Sequence, residues 1–337
     1  MADNIPTLDE WSKLFEAASR VKELAPWEWM TETDIFGVQN PETNALGFVS
    51  VMGLLGEHYA VAVYLGPTGL YGFWELQNAG PFDPPERLLE IPQLQASFEN
   101  RNQLYNKDRE IIKKLGLKFR GRHSWPMFRS YRPGFFPWFL EAEEVRFLTH
   151  VLDQIQGEDF SLMEPPDDES YLVHVPRQEG GTLAWEDRIM HVPPPEPSPI
   201  SVGMNVQVLK DLKRRRRSQH KLEVDFFLVP APIEEKRGLR PYYPYVLMVV
   251  EAQSGMILGH DMLKAEPSIE AMWGTIPMNL VQQLVRAGIV PEEVRVRSPV
   301  LFQLLKPLAE ELPFKLKQSP TLPSLESAKE FLLRGFM

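Results

Sequence analysis

The hydrophobic pattern of the first 155 residues predicts helices mixed with short strands. Apolar residues recur at helical spacing after Thr7, and Thr7 with Glu10 three residues later forms a capping box that starts a helix, which Pro26 ends. An amphipathic helix is predicted over Glu141–Ile155. Between these helices lie β-type runs: Asp34–Val38, Phe48–Met52 and Tyr59–Tyr64. Because strands and helices do not alternate regularly, the pattern favours an α+β domain.

Residues 161–200 have the pattern of a connection. Two proline-rich segments, 164–169 and 191–199, are stiff and poorly suited to pairing in a sheet. Between them, Tyr171–Val175 and Leu183–Met190 are typical of two short strands, which fit either neighbouring domain. The predicted organisation is therefore an α+β domain over 1–160, a connection over 161–200 and a second domain over 201–337.

The pattern after residue 200 is more regular and predicts the order β-β-β-α-β-α-β-α, an α/β domain. A helix near Val202–Arg216 comes before the first strand. Strands are predicted at Leu222–Val229, Tyr245–Glu251, Met256–Leu263, Glu293–Arg297 and Phe314–Lys317, and helices over Pro267–Ala287, Val300–Leu312 and Leu325–Leu333. Pro277 is expected to kink or divide its helix. The first three strands should be antiparallel, with Glu293–Arg297 joining parallel to Leu222–Val229.

Composition narrows the class of protein. The chain has 337 residues, 43% of them hydrophobic and 24% charged, which is typical of a soluble globular protein of about two domains. No apolar run approaches the ~20 residues of a membrane helix, and the start lacks a secretory signal pattern. The absence of cysteine excludes disulfides, thiol catalysis and cysteine-based metal sites. These features predict a cytoplasmic protein without a membrane partner.

Charge differs between the two halves of the chain. Residues 1–160 carry 15 Lys and Arg against 23 Asp and Glu, whereas residues 201–337 carry 19 against 15. This contrast agrees with two domains. A polyanionic partner is expected to meet the basic second half first.

Three segments of the second half carry a family resemblance. Leu222–Phe226 resembles a first catalytic strand with its aspartate, Val249–Gly255 a second strand with its hairpin, and Ala287–Ser298 a Gly-x-x-Pro segment followed by a strand. Residues 221–334 thereby resemble the ribonuclease H-like fold, which includes retroviral-type integrase and transposase cores. The whole chain also resembles bacterial two-module proteins of unknown function. The resemblance implies a mixed sheet with the element order given above.

The resemblance also implies where a catalytic site lies and how this sequence departs from it. Nucleases of this fold hold two divalent cations about 4 Å apart with carboxylates on the first strand, after the fourth strand and on the last helix. Asp225 matches the first position, and Glu326 or Glu330 the third. Ser298 stands at the second position and is neutral, whereas Mg²⁺ needs charged ligands. We therefore expect a degenerate site that binds no metal; the plainer interpretation of Asp225 is a sheet-end residue facing water.

Two further carboxylates bear on this charge count. Glu251 and Asp261 lie on the neighbouring strands. Glu251 restores the count only if its side chain points to the same end and face of the sheet as Asp225, which strand alternation leaves open.

Two basic segments are candidates for binding nucleic acid. The first is a run of five cations that suits phosphate contacts, or forms a solvated helix end whose charge complements the helix dipole: Lys213, Arg214, Arg215, Arg216 and Arg217. The second, Arg120–Trp138, holds four arginines and six aromatic residues. Such a stretch suits single-stranded nucleic acid or a peptide, with Arg129 and Arg132 as candidate contacts, or inserts its rings into the core.

No other catalytic motif is present. The chain has no G-x-S-x-G elbow, Walker loop or dinucleotide motif, and its seven histidines are not at metal-ligand spacing. The leading hypothesis is a non-catalytic binding or interaction protein without a cofactor. Its partner is unknown, and the two classes considered are nucleic acid and another protein. One alternative is a Mg²⁺-dependent nuclease or strand-transfer enzyme that uses Asp225 with a helix glutamate. A second is a protein that binds nucleic acid without cutting it.

Overall fold

The computed structural model describes residues 4–78, 85–155, 167, 169–196, 199–203 and 205–335. The chain divides into two compact units: an N-terminal unit, Met1–Arg132 with Pro137–Glu196, and a C-terminal unit, Pro133–Phe136 with Pro197–Met337. Each unit combines helices with one mixed sheet, which confirms mixed α and β structure in both halves. Residues 161–166, 168, 197 and 198 of the predicted connection lie outside the described residues.

The N-terminal unit begins with the helix that the capping box predicts. Thr7 Oγ1 accepts a hydrogen bond from the Glu10 backbone N–H (3.2 Å), and the Glu10 carboxylate accepts one from the Thr7 backbone N–H (2.7 Å). The helices are α1 Leu8–Leu24, α2 Gly66–Gln77, α3 Asn106–Lys114 and α4 Ala142–Asp153. The strands are β1 Phe36–Gln39, β2 Leu46–Met52, β3 Ala60–Leu65, β4 Gln93–Glu99, β5 Trp125–Tyr131, β6 Ser170–Glu179 and β7 Thr182–His191.

The seven strands form one sheet in the order β5-β4-β3-β2-β1-β6-β7. Its pairs are antiparallel except β1 with β6, which is parallel. Helices α1 and α4 pack on one face, and α2 packs on the other. Strands β6 and β7, whose domain the sequence left open, therefore extend this sheet. Strands β4 and β5 are additions that the hydrophobic pattern did not predict.

The C-terminal unit follows the predicted order of elements. Its strands are β8 Lys221–Leu228, β9 Tyr245–Glu251, β10 Ile257–Leu263, β11 Glu293–Val296 and β12 Lys315–Gln318, and its helices are α5 Val206–Lys213, α6 Ile269–Ala287, α7 Pro299–Glu311 and α8 Pro323–Arg334. The sheet order is β10-β9-β8-β11-β12. Strands β8, β9 and β10 are antiparallel and β11 is parallel to β8, which confirms the predicted pairing. Helix α6 continues through Pro277 and is not divided there, because its buried side packs in the core on both sides of the proline.

The two faces of this sheet carry different helices. Leu222 and Val224 of β8 belong to the core that includes α6 and α7, whereas Phe227 packs in a separate cluster with Leu325 of α8. Because successive side chains of a strand point to opposite faces, the carboxylates at odd-numbered positions of β8 share the face of α8. The strand thereby presents charge to α8 and apolar groups to α6 and α7.

Candidate functional site

Asp225 is the centre of the charged cluster on the α8 face. Its side chain is only 4% exposed, although it lies in a strand that is otherwise apolar around it. One carboxylate oxygen, Oδ1, accepts a hydrogen bond from the Phe226 backbone N–H (3.0 Å). The other, Oδ2, accepts one from the guanidinium of Arg297 (2.9 Å). Asp225 is thus a buried, paired carboxylate and does not face water.

Arg297 joins this aspartate to the last helix. It directly follows β11, and its second terminal nitrogen donates to Glu326 Oε1 of α8 (3.1 Å). Burial raises the pKa of Asp225, although the adjacent Arg297 guanidinium opposes that rise. The cluster is therefore a carboxylate–guanidinium–carboxylate bridge across β8, the end of β11 and α8.

The other two residues of the predicted catalytic set have separate roles. Ser298 Oγ accepts a hydrogen bond from the Leu301 backbone N–H (3.3 Å) and caps the N-terminus of α7. Glu330 is exposed and lies 3.8 Å from Arg334 one turn further along α8. The structure thus brings Asp225 and Glu326 together around Arg297, whereas Glu330 pairs elsewhere.

Glu223 is a buried carboxylate that the sequence analysis did not single out. It is two residues before Asp225 on β8, is 2% exposed, and accepts a hydrogen bond from the Leu325 backbone N–H at the start of α8 (2.9 Å). Helix α8 has no side-chain cap from its own N-cap residue, Leu322. Glu223 therefore caps this helix from the neighbouring strand, and its negative charge favours the helix N-terminus.

Replacing Glu223 with glutamine is expected to lower the free energy of unfolding by about 1 kcal/mol. The amide keeps the size of the side chain and an acceptor oxygen, but it loses the charge that interacts with the helix dipole. Urea denaturation followed by circular dichroism measures the change. The matched control is Glu330→Gln on the exposed surface of the same helix, for which a change below about 0.5 kcal/mol is expected.

Glu251 and Asp261 do not join this cluster. The strand register pairs Asp225 with Met248, and Glu251 lies opposite Leu222 on the other face of the sheet. Its carboxylate accepts hydrogen bonds from the Ser254 backbone (2.6 Å) and hydroxyl (2.7 Å), and these bonds lower its pKa. It stabilises the hairpin.

Asp261 of β10 is paired with helix α6. It accepts two hydrogen bonds from Arg286 (2.8 and 2.9 Å) and one from Gln283 (2.8 Å). This places its carboxylate on the face of α6, away from α8. Neither Glu251 nor Asp261 therefore adds a carboxylate to the cluster around Asp225.

The residues around Asp225 do not fit a two-cation site. Both oxygens of Asp225 accept hydrogen bonds, its nearest charged neighbour is a guanidinium, and Ser298 is neutral and used as a helix cap. Two hard cations need several negative oxygen ligands that face one space. Within the described ranges, no three His, Asp or Glu side chains are grouped so as to hold a metal ion.

The basic run is exposed at the C-terminal end of α5, and part of it forms contacts within the same unit. Lys213 Nζ pairs with Glu311 (2.5 Å), Arg215 donates to the Val285 carbonyl (3.3 Å), and Arg217 donates to the Glu292 carbonyl (3.1 Å). In the described part of the chain, Arg214 and Arg216 form no hydrogen bond or ion pair through their side chains. The run is thus held by alternate residues, which leaves the other two in solvent.

The two arginine candidates of the first half have different surroundings. Arg129 is 4% exposed and forms two hydrogen bonds with Asp108 (2.9 and 2.7 Å) between the rings of Tyr105 and Phe139. Its guanidinium therefore lies inside the N-terminal unit. Arg132 is half-exposed and pairs with Glu141 (2.8 Å) and Glu144 (3.0 Å).

Arg297 is a residue of this cluster that the sequence pattern did not single out. Its position in the sequence could have indicated this role, because it immediately precedes Ser298. The parallel register of β11 on β8 places Arg295 opposite Glu223. Two residues further along both strands, Arg297 comes opposite Asp225 on the same face. The pairing of this arginine thus follows from the register, which the sequence predicts only once the strand order is known.

Each of the two units matches one family model. A model described as a domain of unknown function, DUF7309, matches residues 11–158, and another, DUF6930, matches residues 208–333. These two matches support a two-module family of unknown function. No curated protein matches the chain. Over the described residues, no helix combines the length and apolar character needed to cross a membrane.

Among the solved structures that are similar to part of the chain is one of a viral intasome. It is described as the cryo-EM structure of the simian T-cell lymphotropic virus intasome in complex with PP2A regulatory subunit B56 gamma. The similarity has 14% sequence identity and a TM-score of 0.25, and it covers 37% of this chain. It spans 44% of the length of that chain.

Proposed function

We propose that this chain is a non-catalytic binding protein whose C-terminal unit is a ribonuclease H-like domain with a degenerate site. The observation that carries the proposal is the position of Arg297, whose guanidinium donates to both Asp225 and Glu326. In active relatives, carboxylates at these two positions bind divalent cations. Here an arginine supplies the positive charge, so the carboxylates are neutralised without a metal.

The topology of the C-terminal unit supports the fold part of the proposal. Three antiparallel strands are followed by two parallel ones in the order β10-β9-β8-β11-β12, with α6 and α7 on one face and α8 on the other. Asp225 then lies on the central strand and Glu326 on the last helix, as the resemblance requires. We also propose that each unit is a separate domain, with a border near residue 200.

The surface beside the cluster supports a binding role. On β11 and β12, Arg295, Lys315 and Lys317 share the face of Arg297 by register, and Lys315 and Lys317 are exposed. The buried Glu293 accepts hydrogen bonds from Arg295 (2.8 Å) and Lys317 (2.6 Å), which lower its pKa and hold both cations in place. An ordered, mixed-charge face of this kind suits a polar partner more than it suits hydrolysis.

Calorimetric titration with Mg²⁺ and Mn²⁺ tests the non-catalytic part. We expect no sub-millimolar binding, because the donor set offers too little negative charge to displace the guanidinium. Incubation with single- and double-stranded DNA and RNA should give no metal-dependent cleavage. The same samples show whether the protein retains the nucleic acid without cutting it. Sub-millimolar metal binding that disappears in Asp225→Asn, together with cleavage, would contradict the proposal.

A second candidate function is binding of nucleic acid without cutting, through the basic run. The observation that favours it is the exposure of Arg214 and Arg216, whose neighbours in the run are held by contacts to the same unit. Arginine side chains presented in this way can neutralise phosphates, and binding then releases counterions and weakens as salt increases.

The salt dependence of binding tests this second function. In the double variant Arg214→Gln/Arg216→Gln, the slope of log affinity against log salt should fall by about 2, since each phosphate contact on a duplex contributes about 0.9. The control Lys306→Gln/Arg334→Gln removes the same charge from α7 and α8 and should change the slope less. Equal slopes in the wild type and the first variant would show that Arg214 and Arg216 do not contact phosphates of the nucleic acid.

A further inference from the structure

The N-terminal unit contains a cleft lined by three cations. Its volume is about 250 Å³, and Lys22, Lys118 and Arg120 line it together with the aromatic ring of Phe119. Lys22 lies in the last turn of α1, and the other two cations follow α3 in the chain. The cleft therefore collects positive charge from two separate parts of the first half, which is acidic as a whole.

Lys22 is held over three aromatic rings. Its Nζ lies 4.8 Å from the ring centre of Trp27, 4.7 Å from that of Tyr59 and 5.4 Å from that of Phe98. Burial lowers the pKa of this amine, and among the described residues no carboxylate pairs with it. The rings attract the ammonium through their negative faces and fix its position. Lys22 is thus an oriented cation without a counterion of its own.

The three cations are the side chains of the cleft that remain available to donate hydrogen bonds to a ligand. Lys118 and Arg120 are exposed, and the described part of the chain forms no ion pair with either. The hydroxyls of Ser19 and Ser124 donate to the carbonyls of Phe15 (2.8 Å) and Arg122 (3.0 Å).

Glu23 is the one carboxylate among the residues that line the cleft, and it is exposed. The lining residues thus carry three positive charges and one negative charge, an excess of two positive charges. An anion that enters this space gains attraction from each cation, and Glu23 reduces that attraction.

We propose that this cleft binds a phosphate group. Two ammonium groups and a guanidinium match a tetrahedral, doubly charged oxyanion, because the guanidinium can donate to two oxygens and each ammonium to another. The volume lies below the roughly 300–1,000 Å³ typical of complete ligand pockets, so the cleft takes the phosphate end of a ligand. The cleft belongs to the N-terminal unit, so phosphate binding here is independent of the function proposed for the C-terminal unit.

Calorimetry on the full chain with inorganic phosphate and with phenyl phosphate tests the proposal. Both should bind. Tighter binding of phenyl phosphate identifies the ligand as an aromatic phosphate ester that reaches Phe119, and equal binding identifies free phosphate. Lys118→Gln and Arg120→Gln, both at exposed positions, should each weaken binding about tenfold, because each removes a charged hydrogen-bond donor.

Two further variants make the test specific. Lys114→Gln removes the same charge from an exposed position of α3 that does not line the cleft, and it should leave the affinity within about twofold of the wild type. Glu23→Gln should strengthen binding, since it removes the opposing charge. The proposal is overturned if neither phosphate binds, if Lys114→Gln weakens binding as much as Arg120→Gln, or if only a single-stranded oligonucleotide binds and phosphate does not compete with it.

Discussion

Replacing Arg129 with methionine is expected to lower the free energy of unfolding by about 3–5 kcal/mol. The substitution leaves the Asp108 carboxylate buried without the guanidinium that forms two hydrogen bonds with it. Methionine fills much of the same volume between Tyr105 and Phe139, so only a small cavity forms. The loss of stability is therefore due mainly to the unpaired Asp108 carboxylate. Urea denaturation monitored by tryptophan fluorescence measures the change.

A double variant and a surface control separate pairing from packing. Arg129→Met combined with Asp108→Leu removes both charges and should recover a large part of the lost stability, because no buried charge is then left unpaired. Arg20→Met removes one partner of the exposed pair with Asp153 and should cost less than about 1 kcal/mol. A loss for Arg129→Met no larger than that of Arg20→Met would show that the buried pair does not stabilise the N-terminal unit.

Replacing Arg297 with methionine is expected to lower the free energy of unfolding by about 2–3 kcal/mol at pH 7. Asp225 is 4% exposed and would lose its charged partner, whereas the Arg297 side chain is 41% exposed and the effect is reduced by solvent. The double variant Asp225→Asn/Arg297→Met should recover most of the loss. Arg334→Met is the matched control, since its pair with Glu330 is exposed on the same unit.

The effect of Arg297→Met should also depend on pH. Burial raises the pKa of Asp225 in the folded protein, so between the ordinary aspartate pKa near 3.8 and the raised value the folded state holds more protons than the unfolded state. Stability from this group therefore falls as pH rises through that window. Removing Arg297 raises the pKa further and widens the window, so the loss should be smaller near pH 4 than at pH 7. A loss independent of pH would contradict the assignment of the effect to Asp225.

Much of the fold follows from local patterns, and the exceptions have identifiable causes. The Thr7 capping box, the amphipathic helix near α4 and the order of elements in the C-terminal unit appear in the sequence as spacing, and the structure contains them. Pro126 and Arg129 interrupt the alternation of polar and apolar positions in β5, and neither β4 nor β5 was predicted. Their assignment depends on pairing with each other and with β3, which is a long-range property.

The candidate sites also depend partly on the sequence alone and partly on the tertiary structure. The sequence by itself determined which residue types are available: one aspartate in an apolar strand, a serine where a carboxylate is needed, five consecutive cations and no cysteine. Only the tertiary structure decided which of these groups meet. The parallel register of β11 on β8 brings Arg297 to Asp225, and the packing of α8 brings Glu326 to both.

Arg129 and Lys22 show the same distinction in the N-terminal unit. Both are basic residues near aromatic ones in the sequence, yet Arg129 is buried against Asp108, and Lys22 lies over three rings beside an open cleft. A sequence records side-chain chemistry and local periodicity, because these depend on near neighbours along the chain. Burial and the identity of a charge partner depend on residues far apart in the sequence, and so they are determined only when the sheets and helices pack.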